Sequence, residues 1–157
     1  NLVGAAGNDV LYGDEHNDKL NGGTGDDSLR GGAGSDRLLG LAGRDILIGG
    51  TGADIMTGGD DNDIFVFALS GDTRRNAGAD HITDFEFGDR IRINSHDFIG
   101  TGAFTGSGVA EVRYESNGSG ALIQIDADGD GVADGDIVID NGTTWTFDSN
   151  GVDLWAI

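Results

Sequence analysis

The chain has no cysteine and no proline among its 157 residues. Without Cys, neither a disulfide nor a thiolate metal site can hold it together. It has 30 glycines, but the missing proline and the lack of a three-residue glycine period exclude a collagen-like chain. Basic residues are few: nine Lys and Arg stand against 28 Asp and Glu, a formal net charge of −19. That balance excludes nucleic acid, whose recognition needs a basic stripe, and adhesion to an anionic membrane. No run of 18 apolar residues is present, so no membrane insertion is expected. HExxH, a Ser-His-Asp order and a Cys nucleophile are all missing, and no catalytic or cofactor-binding residue is assigned. The chain opens on Asn1 rather than Met, as expected of a piece of something longer, so the want of an N-terminal signal peptide carries little weight.

So acidic a chain is either disordered or holds cations. Its 37% hydrophobic residues recur at fixed spacing, which favours the second. From Gly4 to Val66 the sequence divides into seven units of nine: GAAGNDVLY, GDEHNDKLN, GGTGDDSLR, GGAGSDRLL, GLAGRDILI, GGTGADIMT and GGDDNDIFV. Gly opens every unit. Place six is always Asp: Asp9, Asp18, Asp27, Asp36, Asp45, Asp54 and Asp63. Place eight is always large and apolar: Leu11, Leu20, Leu29, Leu38, Leu47, Met56 and Phe65. Glycines at places one, two and four allow positive φ and a sharp turn, which aims carbonyl oxygens inward beside the Asp carboxylate. Places seven to nine, polar-apolar-polar, suit a strand of about three residues with its middle side chain inside. One unit buries almost nothing, so units must stack.

This pattern resembles the RTX nonapeptide repeat, GGxGxDxUx, over Gly4 to Val66. The resemblance implies a right-handed parallel β-roll with two units per coil and calcium between the turns of same-parity units. Odd units would stack at Asp9, Asp27, Asp45 and Asp63, and even units at Asp18, Asp36 and Asp54, with about five ions in the gaps. The residues themselves also select calcium: hard carboxylate and carbonyl oxygens in flexible turns suit Ca²⁺, whereas Zn²⁺ wants His or Cys. The candidate ligands are those seven Asp, the turn residues Gly23, Gly25, Gly32, Gly34, Gly43, Gly50, Gly52 and Gly59, and Asp61. Asp14, His16, Leu41 and Asp61 break the glycine pattern, which leaves the first even site the least secure. His16, His81 and His96 lie far apart and lack metal-site spacing.

After Phe67 the nine-residue period is expected to stop. Gly78 to Ile93 alternates like a half-buried strand, as do VAEVRYES, Ala121 to Ile125 and Asp136 to Ile139. The fold expected is all-β: a parallel β-roll over residues 1–66, then an antiparallel β-rich subdomain over 67–157 packed on it. The runs DIFVF, DHITDFEFGDRIRI and DADGDG are similar to the C-terminal region of serralysin-type metalloproteases and other type I secreted proteins. That likeness implies Asp80 and Asp84 as further calcium ligands, and Asp89 as a weaker one. Asp126, Asp128 and Asp130 match the opening of an EF-hand loop, but place twelve is Ile137 and the flanks read as strands. The loop either holds one ion through Asp126, Asp128, Asp130 and Asp134 or is an acidic turn. The closing residues 153–157, Asp153 to Ile157, resemble an uncleaved type I secretion signal and also suit a last strand.

The function expected is a noncatalytic calcium-binding module. It would stay unfolded in calcium-poor cytoplasm, pass the type I secretion apparatus, and fold outside the cell on calcium as part of a larger secreted protein. The alternative is a carbohydrate-binding module. Similar repeats form the noncatalytic modules of mannuronan C-5 epimerases, and Lys19 and Arg37 would face outward two units apart to meet an anionic polysaccharide. Ile46, Ile48, Ile64 and Val66 form an outward apolar patch, which predicts that the second half covers that face.

Overall fold

The structure, a computed structural model, describes residues 1–67, 78–93, 97–100, 106, 111–116, 120–126, 129–140, 145–147 and 153–156. The repeat region gives β1 (Leu2–Ala6), β2 (Val10–Glu15), β3 (Lys19–Thr24), β4 (Ser28–Ala33), β5 (Arg37–Ala42), β6 (Ile46–Thr51), β7 (Ile55–Asp60) and β8 (Ile64–Phe67). Most of these strands hold six residues, twice the length expected from places seven to nine. Pairing runs on through the first three places of the next unit, because stacked backbones there stay in register (Asn21↔Leu39, Gly23↔Leu41, Thr24↔Ala42).

Alternate strands pair in parallel. β2, β4, β6 and β8 build one sheet and β1, β3, β5 and β7 the other, each strand lying on the one two units before it. Every place-eight residue lands above its same-parity predecessor: Leu20 on Leu38 on Met56, and Leu11 on Leu29 on Leu47 on Phe65. Leu20, Leu29, Leu38, Leu47, Met56 and Phe65 are fully buried. Burying such a side chain contributes roughly 1.5–3 kcal/mol, and only the stack makes that burial available.

Beyond Phe67 the structure differs from the sequence expectation. Gly78 to Ile93 is two strands in two sheets, not one. β9 (Asp80–Ile82) pairs parallel with β7, and β10 (Arg90–Ile93) pairs parallel with β8. The roll therefore gains another rung on each side, with Ile82 above Met56 and Ile91 above Phe65.

The remaining strands extend the same two sheets. β14 (Gly135–Ile139) joins β9 in parallel, and β13 (Ala121–Asp126) and β12 (Glu111–Ser116) follow antiparallel, with β11 (Asp97–Gly100) outermost. On the other side β16 (Asp153–Ala156) pairs antiparallel with β10, and β15 (Trp145–Phe147) with β16. The second half thus meets the roll at its sheet edges, with a continuous core running from Leu20 through Phe67, Phe85 and Ile91 to Ile123, Ile125, Ile137 and Ile139. The expected cover over the outward apolar face is not how these strands attach. Ile46 stays 40% exposed, while Ile48, Ile64 and Val66 are half-buried.

Candidate metal sites in the turns

The turns adopt the conformation their glycines suggested, at places two and four. Gly23, Gly25, Gly32, Gly34, Gly43, Gly50, Gly52 and Gly59 all have positive φ. So do the residues that replace glycine at these places: Ala5 (φ 84°), Asp14 (68°), His16 (83°), Leu41 (85°) and Asp61 (77°). The stacked coils impose the left-handed conformation even where the side chain disfavours it.

Place one is different. Its glycines lie outside the left-handed region, and their role is to leave space. A Cβ on Gly4 would stand 2.5 Å from Asp9 Oδ2 and 2.6 Å from the Gly22 carbonyl oxygen. The same two obstacles, the unit's own Asp and the next coil's carbonyl, confront Gly31 and Gly40. No L side chain fits there, so place one is glycine in all seven units, whereas places two and four vary.

The place-six Asp residues form two ladders. On one side the Asp9 amide donates to Asp27 Oδ1 (2.8 Å), Asp27 to Asp45 (2.7 Å), Asp45 to Asp63 (2.8 Å) and Asp63 to Asp89 (2.8 Å). On the other, Asp18 donates to Asp36, Asp36 to Asp54 and Asp54 to Asp80, each at 2.8 Å. Asp27, Asp36, Asp45, Asp54, Asp63, Asp80 and Asp89 are at most 2% exposed. In Asp9, Asp27, Asp36, Asp45 and Asp63 the second oxygen, Oδ2, is buried and meets no hydrogen-bond donor.

Burial pushes the carboxyls up. Asp63 rises to about 8 and Asp45 to about 6, chiefly through burial and then through neighbouring carboxylates, against the lowering effect of the ladder amides. Asp89 rises to about 6 for the same leading reason, and Asp36 and Asp84 are raised as well. An unpaired buried acceptor costs about 1–3 kcal/mol, more when charged. Stacked buried carboxylates with an unsatisfied oxygen each therefore fit a hard divalent cation that takes oxygen ligands. Among the described residues no three His, Asp or Glu side chains converge. Side chains alone make no cage, so backbone oxygens must complete the site. Rows of carbonyls run up the turns: those of Ala5, Gly7, Gly25 and Gly32 face the Cα of Gly23, Gly25, Gly43 and Gly50 so closely that a Cβ would collide with them.

The other candidate residues separate. Asp80 is a ladder member. Asp84 receives the Gly58 and Gly59 amides at 2.9 and 2.8 Å on its two oxygens. Asp61 is exposed at a place-four turn. Asp126 is buried at the end of β13, where its Oδ1 accepts the Gly129 amide (2.7 Å) and its Oδ2 the Gly131 amide (2.8 Å). Asp130 accepts the Val132 amide at 2.7 Å and, like Asp134, is exposed. Asp128 lies outside the described residues, as does Ile157. Asp126 thus closes its own turn through these two amides.

Two features escaped the sequence reading. Asp89 is a full member of the Asp9 ladder. The signal was present: Asp80 and Asp89 are nine residues apart, and Gly78–Thr83 (GADHIT) repeats Gly52–Thr57 (GADIMT) apart from two residues. An eight-residue insertion had hidden the period, as the 26-residue step from Asp54 to Asp80 shows against 18 elsewhere. The second feature is a minor ladder at place five. There Asn8 accepts the Asp26 amide, Asn17 the Ser35 amide and Asp26 the Arg44 amide, at 2.9–3.0 Å. The backbone bond from Arg44, followed by its guanidinium at 3.4 Å, lowers the Asp26 carboxyl.

Known proteins agree with this geometry. The family model for the RTX calcium-binding nonapeptide repeat matches residues 1–29 and 30–65. The solution structure of the AlgE6R3 subunit from the Azotobacter vinelandii mannuronan C5-epimerase is similar, with 32% identity and a TM-score of 0.54, over 80% of this chain and 71% of that one. The AlgE6R2 subunit of the same enzyme is similar at 27% identity and a TM-score of 0.51, over 84% and 83%. No curated protein matches the chain in sequence. Taken with its ladders, the chain belongs to the RTX family of calcium-binding nonapeptide-repeat β-rolls.

Proposed function

We propose that this module is a calcium-triggered folding unit of a larger secreted protein. The observation that carries the reading is the pair of Asp ladders, with buried carboxylate oxygens that lack a donor. In calcium-poor cytoplasm the net charge of −19 and the glycine-rich backbone favour the open chain, which suits passage through a type I exporter. Outside, calcium binds between same-parity turns, about five ions within Asp9 to Asp63, with Asp80 and Asp84 as further ligands. Extracellular modules bind calcium at about 10⁻⁴–10⁻³ M. An ion at ten times its dissociation constant adds roughly 1.4 kcal/mol. Five would add roughly 7 kcal/mol, comparable to the whole stability of a small domain. RTX repeats are typical of type I secreted bacterial proteins, which supports the same reading. The module itself is noncatalytic in this proposal, and any chemistry belongs to the rest of the secreted protein.

The test is a far-UV circular dichroism titration with calcium, then with chelator. A cooperative gain of β signal at millimolar calcium, reversed by chelator, is the expected result. A β spectrum indifferent to chelator refutes the proposal.

A second reading, as an anionic-polysaccharide binder, draws on one specific observation. Lys19 and Arg37 stack in register on β3 and β5 and border a shallow surface groove with Val3, Asn21 and Leu39. The similar AlgE6 subunits come from a mannuronan C5-epimerase. Calorimetry with mannuronan oligosaccharides would show binding that weakens in Lys19→Ala/Arg37→Ala. Equal binding by both proteins removes this reading.

A further inference from the structure

The two flat faces of the roll differ in chemistry, although their strands follow one repeat. The outward places of β3, β5, β7 and β9 are mostly polar, with Asn21, Thr57 and Thr83 among them. The other face centres on four aliphatic side chains: Ile46 and Ile48 on β6, and Ile64 and Val66 on β8. Both are inner strands of their sheet. Ser28, Ile46, Ile64 and Arg90 stand in register in one column, while Arg30 stands beside Ile48 and Arg92 beside Val66. Arginine therefore borders the aliphatic strip on both sides. Arg30 is exposed on β4, and Arg90 and Arg92 lie on β10, where β16 follows with Trp155 and Asp153 in register. No Asp or Glu occupies an outward place from β4 to β10, in a chain of net charge −19. Ile46 is 40% exposed and the other three are half-buried. The neighbours of β6 and β8 among the described strands are β4 and β10 beside them and β5 and β7 across the core.

We infer that this face docks an acidic, aliphatic protein segment, extended, with an aliphatic side chain midway between two carboxylates. Contiguous apolar surface rimmed by polar residues marks interaction sites, and arginine is enriched in protein interfaces. Charge and spacing select the occupant. Neighbouring strands lie about 4.8 Å apart, so the three gaps from β4 to β10 put Arg30 roughly 14 Å from Arg92 along the sheet. An extended chain rises about 3.4 Å per residue, so its side chains four residues apart span the same distance and share one face with the residue midway. Carboxylates at the two ends then meet Arg30 and Arg92, and the middle side chain lands between β6 and β8. Such a segment crosses the strands instead of pairing with them and needs no free sheet edge. A second copy laid face to face is disfavoured by charge, since arginine meets arginine whether the rungs align in the same or the reverse order. A polysaccharide would find one hydroxyl here, on Ser28, and no aromatic ring to stack on from β4 to β10. The strip is also separate from the Lys19 and Arg37 groove, which lies on the other sheet.

The probe is a capped peptide, Glu-Thr-Leu-Thr-Glu, titrated into the isotope-labelled full chain in calcium and followed by amide chemical shifts. The shifts should concentrate on β6 and β8. Affinity should fall by about tenfold or more for the same peptide with Ser for Leu, and for the one with Gln for both Glu. Ile46→Ser/Ile64→Ser should weaken the original peptide as much, and so should Arg30→Glu. These variants should keep the native circular dichroism in calcium, because all three side chains stand at outward places. The comparison of the three peptides uses the native chain alone, so it decides the matter even where a variant misfolds. Absence of shifts on β6 and β8, or equal affinity for all three peptides, overturns the inference. Mannuronan oligosaccharides that shift the same amides at lower concentration than the peptide also overturn it, by assigning the face to a polysaccharide. A native dimer in sedimentation that Ile46→Ser/Ile64→Ser dissolves overturns it as well, since the occupant is then a second copy.

Discussion

Replacing Asp45 by Ala should damage calcium-dependent folding far more than replacing Asp18, although the two occupy the same place in the repeat. Asp45 is 1% exposed and accepts the buried Asp27 amide at 2.7 Å, while its own amide binds Asp63 Oδ1. Removing its carboxylate leaves the Asp27 amide without its acceptor, a cost of about 1–3 kcal/mol. It also strips a ligand from the ion positions on both sides, each worth roughly 1.4 kcal/mol at ten times the dissociation constant. The combined loss is about 4–6 kcal/mol, near the total stability of a small domain. Asp18 differs on each count: its side chain is 20% exposed, among the described residues its Oδ1 has the Asn1 ammonium at 3.8 Å in place of a ladder amide, and it borders one proposed ion position rather than two. Its loss should be about 1–2 kcal/mol by the same reasoning. Calcium titrations followed by circular dichroism give the midpoints directly. Asp45→Ala should need a much higher calcium concentration or fail to fold, and Asp18→Ala should shift modestly. Equal midpoints, or a larger shift for Asp18→Ala, would refute the ladder as the source of calcium affinity.

The raised carboxyls of Asp45, Asp63 and Asp89 fix the sign of the pH dependence. Between about pH 4 and 8 the calcium-free fold holds more protons than the unfolded chain, so its stability falls as pH rises through that window. Protons and calcium then compete for the same oxygens, and calcium midpoints should fall steadily from pH 5 to pH 8; a flat profile contradicts the burial of these groups. Gly40→Ala should prevent folding in calcium, because its Cβ meets Asp45 Oδ2 and the Gly58 carbonyl oxygen; thermal melts that match the native chain would show that place one has slack. Leu41→Gly, one residue on, should stabilise by up to about 1 kcal/mol by relieving a left-handed non-glycine residue, and a lower melting temperature would argue against that strain. Asp126→Ala should cost about 1–3 kcal/mol by freeing the Gly129 and Gly131 amides without changing the number of calcium ions bound, and the loss of an ion in dialysis would assign Asp126 to a metal site instead.

The nine-residue period was legible because each place has one dominant physical demand. Place eight must be large and apolar to fill a one-residue-wide core, and place six must be Asp to serve the ladder, so seven units sufficed to read the roll, its inward residues and calcium. The same period reappears at Asp80 and Asp89, but an insertion of eight residues breaks the count along the chain, and only strand pairing in space restores it. That is why Gly78 to Ile93 read as one alternating strand and proved to be two parallel rungs in different sheets. Glycine content could not distinguish conformation from space: places two and four need positive φ and admit Leu41 or Asp61 at some strain, while place one needs the absence of a Cβ. The Asp-rich loop at 126–136 read either as a metal loop or as an acidic turn, since a carboxylate bonded to backbone amides and one awaiting a cation are the same letter in a sequence. The sequence by itself determined the repeat, the core and the ion chemistry, because each depends on residue type at a fixed spacing. The tertiary structure alone decided how far the ladders extend, which carboxylates keep an unsatisfied oxygen, and where the second half attaches, because each depends on which backbone lies 18 or 26 residues away across the stack.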